Sequence, residues 1–191
     1  MSKLIPASEE IISYQGRLIE IVNQDMTDGK KTITFELARR APGIRLILVD
    51  KDKKSVMLSK EHRYELDGYD YRLPGGKVFD SLDEYNGFLD AKSDIINPAK
   101  AKALAEAEEE VGLKLTSIEH YHTSVCGTTV QWDLIYFVCN EWVEVDQKLE
   151  AGEVITRTEV SIEEAQKLAL NGGMSEERSA LVLLRYLSSL A

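Results

Sequence analysis

Apolar and polar positions alternate along the first 40 residues, and this alternation predicts β-strands. The apolar residues of one stretch predict a strand from about Tyr14 to Asn23 (Leu18, Ile19, Ile21 and Val22). Asp28-Gly29 is typical of a hairpin turn, and Lys31–Arg40 predicts the returning strand. Residues 1–40 are therefore expected to form a small antiparallel β unit. Because a two-stranded ribbon is barely stable alone, the unit should pack on residues 41–191 or on a second subunit.

The next stretch begins with strands and then loses its pattern. The apolar run Ile44–Val49 predicts a central strand, Val56–Leu66 predicts another, and residues 50–53 are a turn. Gly68–Asp70 is predicted to be a turn that leads through Tyr71-Arg72-Leu73 into Pro74-Gly75-Gly76. Residues 80–97 show no clear period.

Helix signals are strong in the rest of the chain. Asn97 is a candidate N-cap with Pro98 in the first helical position, and Gly112 is a candidate helix end. Strands are expected at 115–123, 132–140 and near 154–160. Ser161 and Glu164 predict a capping box that opens a helix to about residue 170.

Ser175 is predicted to cap a last helix, whose core face would hold three leucines (Leu181, Leu184 and Leu187). The pattern as a whole predicts an α+β fold, with a main domain over residues 41–191.

Composition narrows the classes of partner. The chain has 191 residues, of which 43% are hydrophobic, enough for one folded domain with a core. The net charge of −10 argues against nucleic acid and anionic membranes as partners, since both require a basic surface. A small phosphate substrate stays compatible with this charge, because a bound cation can reverse the local field.

The sequence also bears on the compartment. No apolar run approaches the roughly 20 residues that span a bilayer, and the first residues are interrupted too early by Pro6 for a signal peptide. Cys126 and Cys139 have no CxxC spacing, so free, buried thiols are expected. The expectation is a cytoplasmic protein.

The carboxylates Glu106, Glu109 and Glu110 share one face of the predicted helix, because their spacing is i, i+3, i+4. They repel one another unless a cation lies among them. Mg²⁺ suits such a face because it prefers oxygen ligands. The alternative interpretation is a solvated acidic surface, partly offset by Lys102 and Lys114.

These residues resemble the Nudix box. That pattern runs glycine, five residues, glutamate, seven residues, Arg-Glu-apolar-x-Glu-Glu-x-Gly-apolar, and its second half is matched by residues of the predicted helix end (Glu106, Ala107, Glu109, Glu110, Gly112 and Leu113). The box arginine is Ala105 here, and the distance from Gly76 to Ala105 is 29 positions where the pattern has 14, an insertion of 15. The first glutamate of the box therefore has no secure match. Residues 80–97 are expected to replace the structural brace that this glutamate and arginine form in the family, or to line the pocket.

Segments outside the box resemble the ADP-ribose and nucleotide-sugar pyrophosphatase branch of this family (residues 35–43, 59–64 and 73–76). The resemblance implies a Nudix-type α/β/α sandwich with a mixed sheet, preceded by the N-terminal β unit and assembled as a homodimer. It implies Mg²⁺-dependent hydrolysis of the pyrophosphate bond of a nucleoside diphosphate linked to another group, with Mn²⁺ as a second candidate metal.

The resemblance also assigns residues. Glu106, Glu109, Glu110 and the carbonyl of Gly75 would hold the metal. Glu153 matches a glutamate that lies near the attacking water in the branch, so Glu153 and Glu109 are the candidate catalytic residues.

Three arginines (Arg39, Arg63 and Arg72) would contact the substrate, for which the planar guanidinium is suited. Trp132 with Asp133 is either a base-stacking pair or a core tryptophan with its neighbour. His120 and His122 are expected to be core or surface residues, since a zinc site would need ligands that the sequence does not place.

Two other functions are consistent with the sequence. A non-catalytic nucleotide or ADP-ribose sensor would explain the altered box, but such a protein has less need of the glutamates. A hydrolase of nucleoside triphosphates would not need the N-terminal β unit.

Overall fold

A computed structural model describes residues 3–150 and 152–190. The chain divides into two compact units. Unit 1 consists of residues 1–42, 77–93 and 125–134, and unit 2 of residues 43–76, 94–124 and 135–191. No helix among the described residues is both long enough and apolar enough to span a membrane.

Unit 1 is built on a five-stranded sheet that is antiparallel except for its β4–β10 pairing. Its strands are β1 (Ile5–Pro6), β2 (Ile11–Gln15), β3 (Glu20–Thr27), β4 (Thr32–Arg39) and β10 (Val130–Gln131). The order is β1-β3-β4-β10, β2 also pairs with β3, and β10 lies parallel to β4. The predicted hairpin at Asp28-Gly29 is confirmed by the β3–β4 pairing of Thr27 with Thr32.

The strand predicted from Tyr14 to Asn23 is wrong in one respect, because it is two strands. The N–H of Gly16 donates to the carbonyl of Ile19 at 2.8 Å, and this tight turn reverses the chain so that β2 pairs with β3. Alternation alone continued through the turn, since Leu18 and Ile19 kept the apolar period.

Residues 80–97 show no clear period in the sequence, but they contain helix α1 (Leu82–Ala91). Ser81 caps it by accepting a hydrogen bond from the N–H of Glu84 at 3.2 Å. Within unit 1, Leu82 and Tyr85 pack on Ala41, with three partly buried residues around them (Phe79, Phe88 and Leu89).

Unit 2 holds a mixed sheet with the order β13-β6-β5-β11-β9, and β7 also pairs with β6. The strands are β5 (Gly43–Asp50), β6 (Ser55–Arg63), β7 (Gly68–Arg72), β9 (Glu119–Ser124), β11 (Leu134–Cys139) and β13 (Ile155–Ser161). A separate pair joins β8 (Leu113–Leu115) to β12 (Trp142–Glu144). The predicted central strand is confirmed, because β5 lies inside the sheet and its apolar residues are fully buried.

Helix α2 (Ile96–Val111) packs on β5 and β13, and helices α3 (Ile162–Leu170) and α4 (Glu177–Ser188) pack on each other. The predicted end of α2 at Gly112 and the predicted Ser161 cap of α3 are both confirmed. The prediction of Asn97 as the N-cap is wrong, because α2 begins at Ile96 with Ile95 as its N-cap. The carboxylate of Asp94 accepts a hydrogen bond from the N–H of Ile96 at 3.1 Å.

Three local predictions are wrong. Gly68–Asp70 belongs to β7, because the chain already turns at Tyr64–Leu66 and Asp67, where φ is +46°. The strand predicted over 115–123 is split into β8 and β9.

Ser175 does not cap α4, because the N-cap of this helix is Glu176. The hydroxyl of Ser175 instead donates to the buried carboxylate of Asp70 at 2.6 Å.

Two burial predictions also differ from the structure. Cys139 is buried as expected, but Cys126 is exposed in the segment that precedes β10. Leu181 is 49% exposed, whereas Leu187 faces the core.

Candidate active site

The glycine segment lies against the central strand of unit 2. The N–H of Ile44 donates to the carbonyl of Gly76 at 2.9 Å, and the N–H of Leu46 donates to that of Pro74 at 2.8 Å. These bonds fix the backbone of residues 74–76 alongside β5.

Both glycines have close neighbours where a Cβ would lie. At Gly75, φ is +151° and a Cβ would lie 2.2 Å from the carbonyl oxygen of Ile44, so no other residue fits without a backbone shift. At Gly76, a Cβ would lie 2.0 Å from Oε1 of Glu106. The space that the second glycine leaves open is therefore occupied by a carboxylate.

Helix α2 explains how its glutamates reach this backbone. Four residues at intervals of four form a fully buried stripe (Ala99, Ala103, Ala107 and Val111). Their small side chains allow the helix to approach the sheet closely. Glu106 and Glu110 immediately precede two of these positions, so they lie at the edge of the buried face.

Glu110 and Glu106 have different partners. Oε2 of Glu110 accepts a hydrogen bond from the N–H of Gly75 at 2.7 Å. Oε1 of Glu106 lies 3.5 Å from Nζ of Lys102, one helical turn earlier. The two segments of the sequence that resemble the Nudix box therefore meet in unit 2.

Burial makes these carboxylates difficult to ionise. Desolvation raises the pKa of Glu110 to about 8. The hydrogen bond from Gly75 acts to lower this pKa, and the charge of Glu106 acts to raise it. The pKa of Glu106 is also raised, first by desolvation and then by Glu109 and Glu153, against the effect of Lys102. Both carboxylates are therefore harder to ionise than they would be in water.

Glu153 approaches the same carboxylates from the loop before β13. Its charge contributes to the raised pKa of both Glu106 and Glu110. Its carboxylate accepts from the N–H of Glu150 at 2.9 Å, and its own N–H donates to the carbonyl of Glu150 at 3.1 Å. Unit 2 thus places Glu106 and Glu110 against Gly75-Gly76, and the charges of Glu109 and Glu153 act on the pKa of Glu106.

Arg45, a residue that the sequence did not mark, supplies positive charge beside Glu110. Its Nη1 donates to the carbonyl of Ile44 at 2.8 Å, and its Nε donates to Glu176 at 2.9 Å. Its charge acts to lower the pKa of Glu110.

The arginines predicted to bind substrate all have carboxylate partners. In unit 2, Arg63 pairs with Glu61 and Glu65, and Arg72 pairs with Asp70 at 3.2 Å. Contact with a phosphate would require these arginines to exchange partners.

Arg39 lies in unit 1 within a buried network. Its Nη2 donates to both carboxylate oxygens of Glu10 at 2.7 and 2.8 Å, its Nη1 to Glu20 at 3.2 Å, and its Nε to Gln131 at 2.7 Å. Asn86 of α1 donates to the other oxygen of Glu20 at 3.1 Å, so the inserted segment lines this groove of about 500 Å³ in unit 1.

The other candidates have local partners. The guanidinium carbon of Arg40 lies over the ring of Trp132, 4.5 Å from the ring centre. His120 is exposed and within 2.9 Å of the Thr123 hydroxyl. Among residues 3–150 and 152–190, no group of three or more His, Cys, Asp or Glu side chains is arranged so that it could hold a metal ion.

No protein-family model matches the chain. A solved structure described as ADP compounds hydrolase matches it with a TM-score of 0.70 and 15% identity, over 99% of this chain and 96% of that one. The chain has a Nudix-type fold. The predicted α+β class is therefore confirmed.

One curated relative is a CMP-5'-(N-acetyl-N-hydroxy-3-aminopropyl)phosphonate hydrolase from Streptomyces rubellomurinus (strain ATCC 31215). It is 28% identical over 115 residues, which are 60% of this chain and 48% of the relative, so the match spans about half of the relative's length. Both of these proteins are described as hydrolases.

Proposed function

We propose that this protein hydrolyses the pyrophosphate bond of a nucleoside diphosphate linked to another group, of the ADP-ribose or nucleotide-sugar type, with Mg²⁺ as its cofactor. The observation that carries the proposal is the packing of Glu106 and Glu110 on the backbone of Gly75-Gly76. Such burial of neighbouring carboxylates is costly, and a divalent cation would offset the cost.

The residues fit Mg²⁺ by their chemistry. Glu106, Glu109, Glu110 and the Gly75 carbonyl offer oxygen donors, which Mg²⁺ and Mn²⁺ prefer. Desolvation raises the pKa of both Glu106 and Glu110, and a bound cation would favour their charged forms. When bound, the metal would neutralise pyrophosphate charge and lower the pKa of a water molecule.

The chain's own groups would do the rest. Glu153 would hold and orient the attacking water as a general base, and Glu109, half-buried on the same helix as Glu106, would assist it. Arg63 and Arg72 would bind phosphate by exchanging their carboxylate partners. Arg39 would do the same if the half-exposed Glu10 were displaced.

The comparisons support the substrate class. One name specifies ADP compounds, and the other a cytidine nucleotide joined to a phosphonate. Both names refer to compounds of a nucleotide, and the bases differ. We therefore infer that recognition centres on the phosphates.

A non-catalytic nucleotide sensor is the second candidate. It is favoured by Ala105 in place of the box arginine and by the carboxylates' engagement with Gly75 and Lys102. In a sensor these contacts would persist when a nucleotide binds.

One experiment separates the two candidates. The purified protein is incubated with Mg²⁺ and ADP-ribose, nucleotide sugars, a CMP-linked phosphonate, dinucleotides and dNTPs, and phosphorylated products are assayed. We expect turnover of a linked nucleotide that falls at least about 100-fold in Glu109→Gln and Glu110→Gln. Glu108→Gln is the matched control, since this side chain points away from the shared face.

Undiminished activity in both variants would refute the metal assignment. No turnover, with thermal stabilisation by one nucleotide, would favour the sensor.

We also propose that the protein is a homodimer, joined through unit 1. Its sheet exposes large apolar side chains, including those of β2, where Ile11 is 64%, Ile12 48% and Tyr14 61% exposed. Among the described residues, β2 pairs only with β3, so its outer edge is open. Light scattering should show a dimer that Ile12→Asp dissociates, whereas Leu170→Asp, at an exposed position of unit 2, should not. A monomeric wild type, or a dimer that survives Ile12→Asp, would refute the proposal.

A further inference from the structure

We propose that Gln147 is a positioning residue, which clamps the loop carrying Glu153 to the carboxyl end of α2. The inference rests on the proposed hydrolase function. It assigns a role to a residue that has neither charge nor nucleophile and that no motif marks.

The last carbonyls of a helix have no partner within the helix. At the end of α2, the segment from β12 to β13 satisfies them one after another. The N–H of Lys148 donates to Glu109 at 3.1 Å and that of Val145 to Gly112 at 2.9 Å. Arg157 of β13 donates to Val111 at 3.5 Å, and the side-chain amide of Gln147 donates to Glu110.

Gln147 differs from the other donors because its amide nitrogen contacts two elements. Besides the carbonyl of Glu110, Nε2 donates to the carbonyl of Ile155 at 3.3 Å. Ile155 is the first residue of β13, so the one amide joins the helix end to the far end of the loop. A primary amide has two N–H groups on one nitrogen, which this double contact requires.

Gly112 shows how closely the loop is docked. A Cβ on this residue would lie 2.6 Å from the carbonyl oxygen of Val145 and 3.1 Å from the nitrogen of Gln147. Its φ of +62° also lets the chain leave the helix toward β8. The same glycine thus ends the helix and admits the loop.

The clamp fixes the loop at both ends, and Glu153 lies between them. Glu153 is also bonded to Glu150 both through its carboxylate and through its own N–H. Gln147 donates to the backbone carbonyl of Glu110 itself. It therefore fixes the loop that carries Glu153 to the helix turn that carries the proposed metal ligands. Small displacements of a catalytic group can lower kcat strongly, so this attachment matters for the rate.

The test compares Gln147→Glu, which keeps the shape but removes both donors, with Gln147→Lys, which keeps a donor. Gln166→Glu on α3 is the matched control, because it makes the same charge change outside the loop. We expect kcat of Gln147→Glu to fall about 10- to 100-fold with KM within about 2-fold, and Gln147→Lys to retain most of the rate.

A double-variant cycle shows whether Gln147 acts through Glu153. In a Glu153→Gln background, Gln147→Glu should lower kcat by no more than about 2-fold. If the two losses multiply instead, Gln147 acts independently and the proposal is wrong.

Amide hydrogen exchange gives a readout that does not depend on activity. In Gln147→Glu the amides of Lys148 and Glu153 should exchange at least about 10-fold faster than in the wild type or Gln166→Glu. Unchanged exchange would overturn the clamp. If the wild type hydrolyses nothing, the proposed function fails, and the exchange experiment still decides whether Gln147 holds the loop.

Discussion

Substitution by alanine should affect different properties at the two adjacent glycines, the stability of the fold at Gly75 and the affinity for metal at Gly76. In Gly75→Ala, the new Cβ overlaps the backbone of Ile44 at 2.2 Å, in a φ of +151° that L-residues avoid. Relief requires the segment to leave β5, which breaks the bonds of Ile44 to Gly76 and of Leu46 to Pro74. Two hydrogen bonds at about 1 kcal/mol each and about 1–3 kcal/mol of backbone strain give a loss of about 3–5 kcal/mol.

In Gly76→Ala the new Cβ meets only the flexible end of Glu106, 2.0 Å from Oε1. The carboxylate can rotate away at the cost of its pairing with Lys102, about 0.5 kcal/mol. The fold should therefore survive, but Glu106 should leave its place beside the glycine backbone. We expect the affinity for Mg²⁺ or Mn²⁺ to fall at least about 10-fold.

Urea denaturation measures the first effect, and calorimetric titration with Mn²⁺ measures the second. Equal losses of stability in the two variants would refute the distinction between backbone and side-chain contact. Unchanged metal affinity in Gly76→Ala would show that Glu106 is not a ligand.

Three further predictions concern stability. The pKa of Glu110 is raised from 4.5 to about 8, so between these pH values the folded state binds more protons than the unfolded state. Without metal, the free energy of unfolding should therefore fall as pH rises from 4.5 to about 8 and level off above that pH. Urea titrations across pH should show that Glu110→Gln flattens this profile. Arg39→Ala leaves the fully buried Glu20 without its cation and should cost about 3–5 kcal/mol, whereas Glu10→Gln, at a side chain 43% exposed, should cost less than about 1 kcal/mol; equal losses by chemical denaturation would contradict the assignment. Ser161→Ala removes the cap of α3 and should lower the melting temperature by an amount equivalent to about 1 kcal/mol, whereas an unchanged melting temperature would show that the cap contributes nothing.

Local signals carried much of the fold in the sequence. The hairpin at Asp28-Gly29, the strand Ile44–Val49, the helix end at Gly112 and the cap at Ser161 each follow from a few neighbouring residues. Errors arose where a local pattern had two solutions. The apolar period around Leu18 continued across a turn, for example, and the sequence did not show that the chain reverses there.

The sequence by itself also determined that three glutamates share a helix face, since the helical period fixes their direction. It could not determine that Glu106 and Glu110 pack against Gly75-Gly76, because that depends on how closely the alanine stripe lets α2 approach the sheet.

Tertiary structure alone decided the surroundings of this face. Arg45 on β5 and Gln147 in a loop are both far in sequence from Glu110. Arg45 acts on the charge of its carboxylate, and Gln147 donates to its backbone carbonyl. Helix spacing is a local property of the backbone, whereas desolvation and the capping of helix carbonyls depend on which distant segments the fold brings beside them.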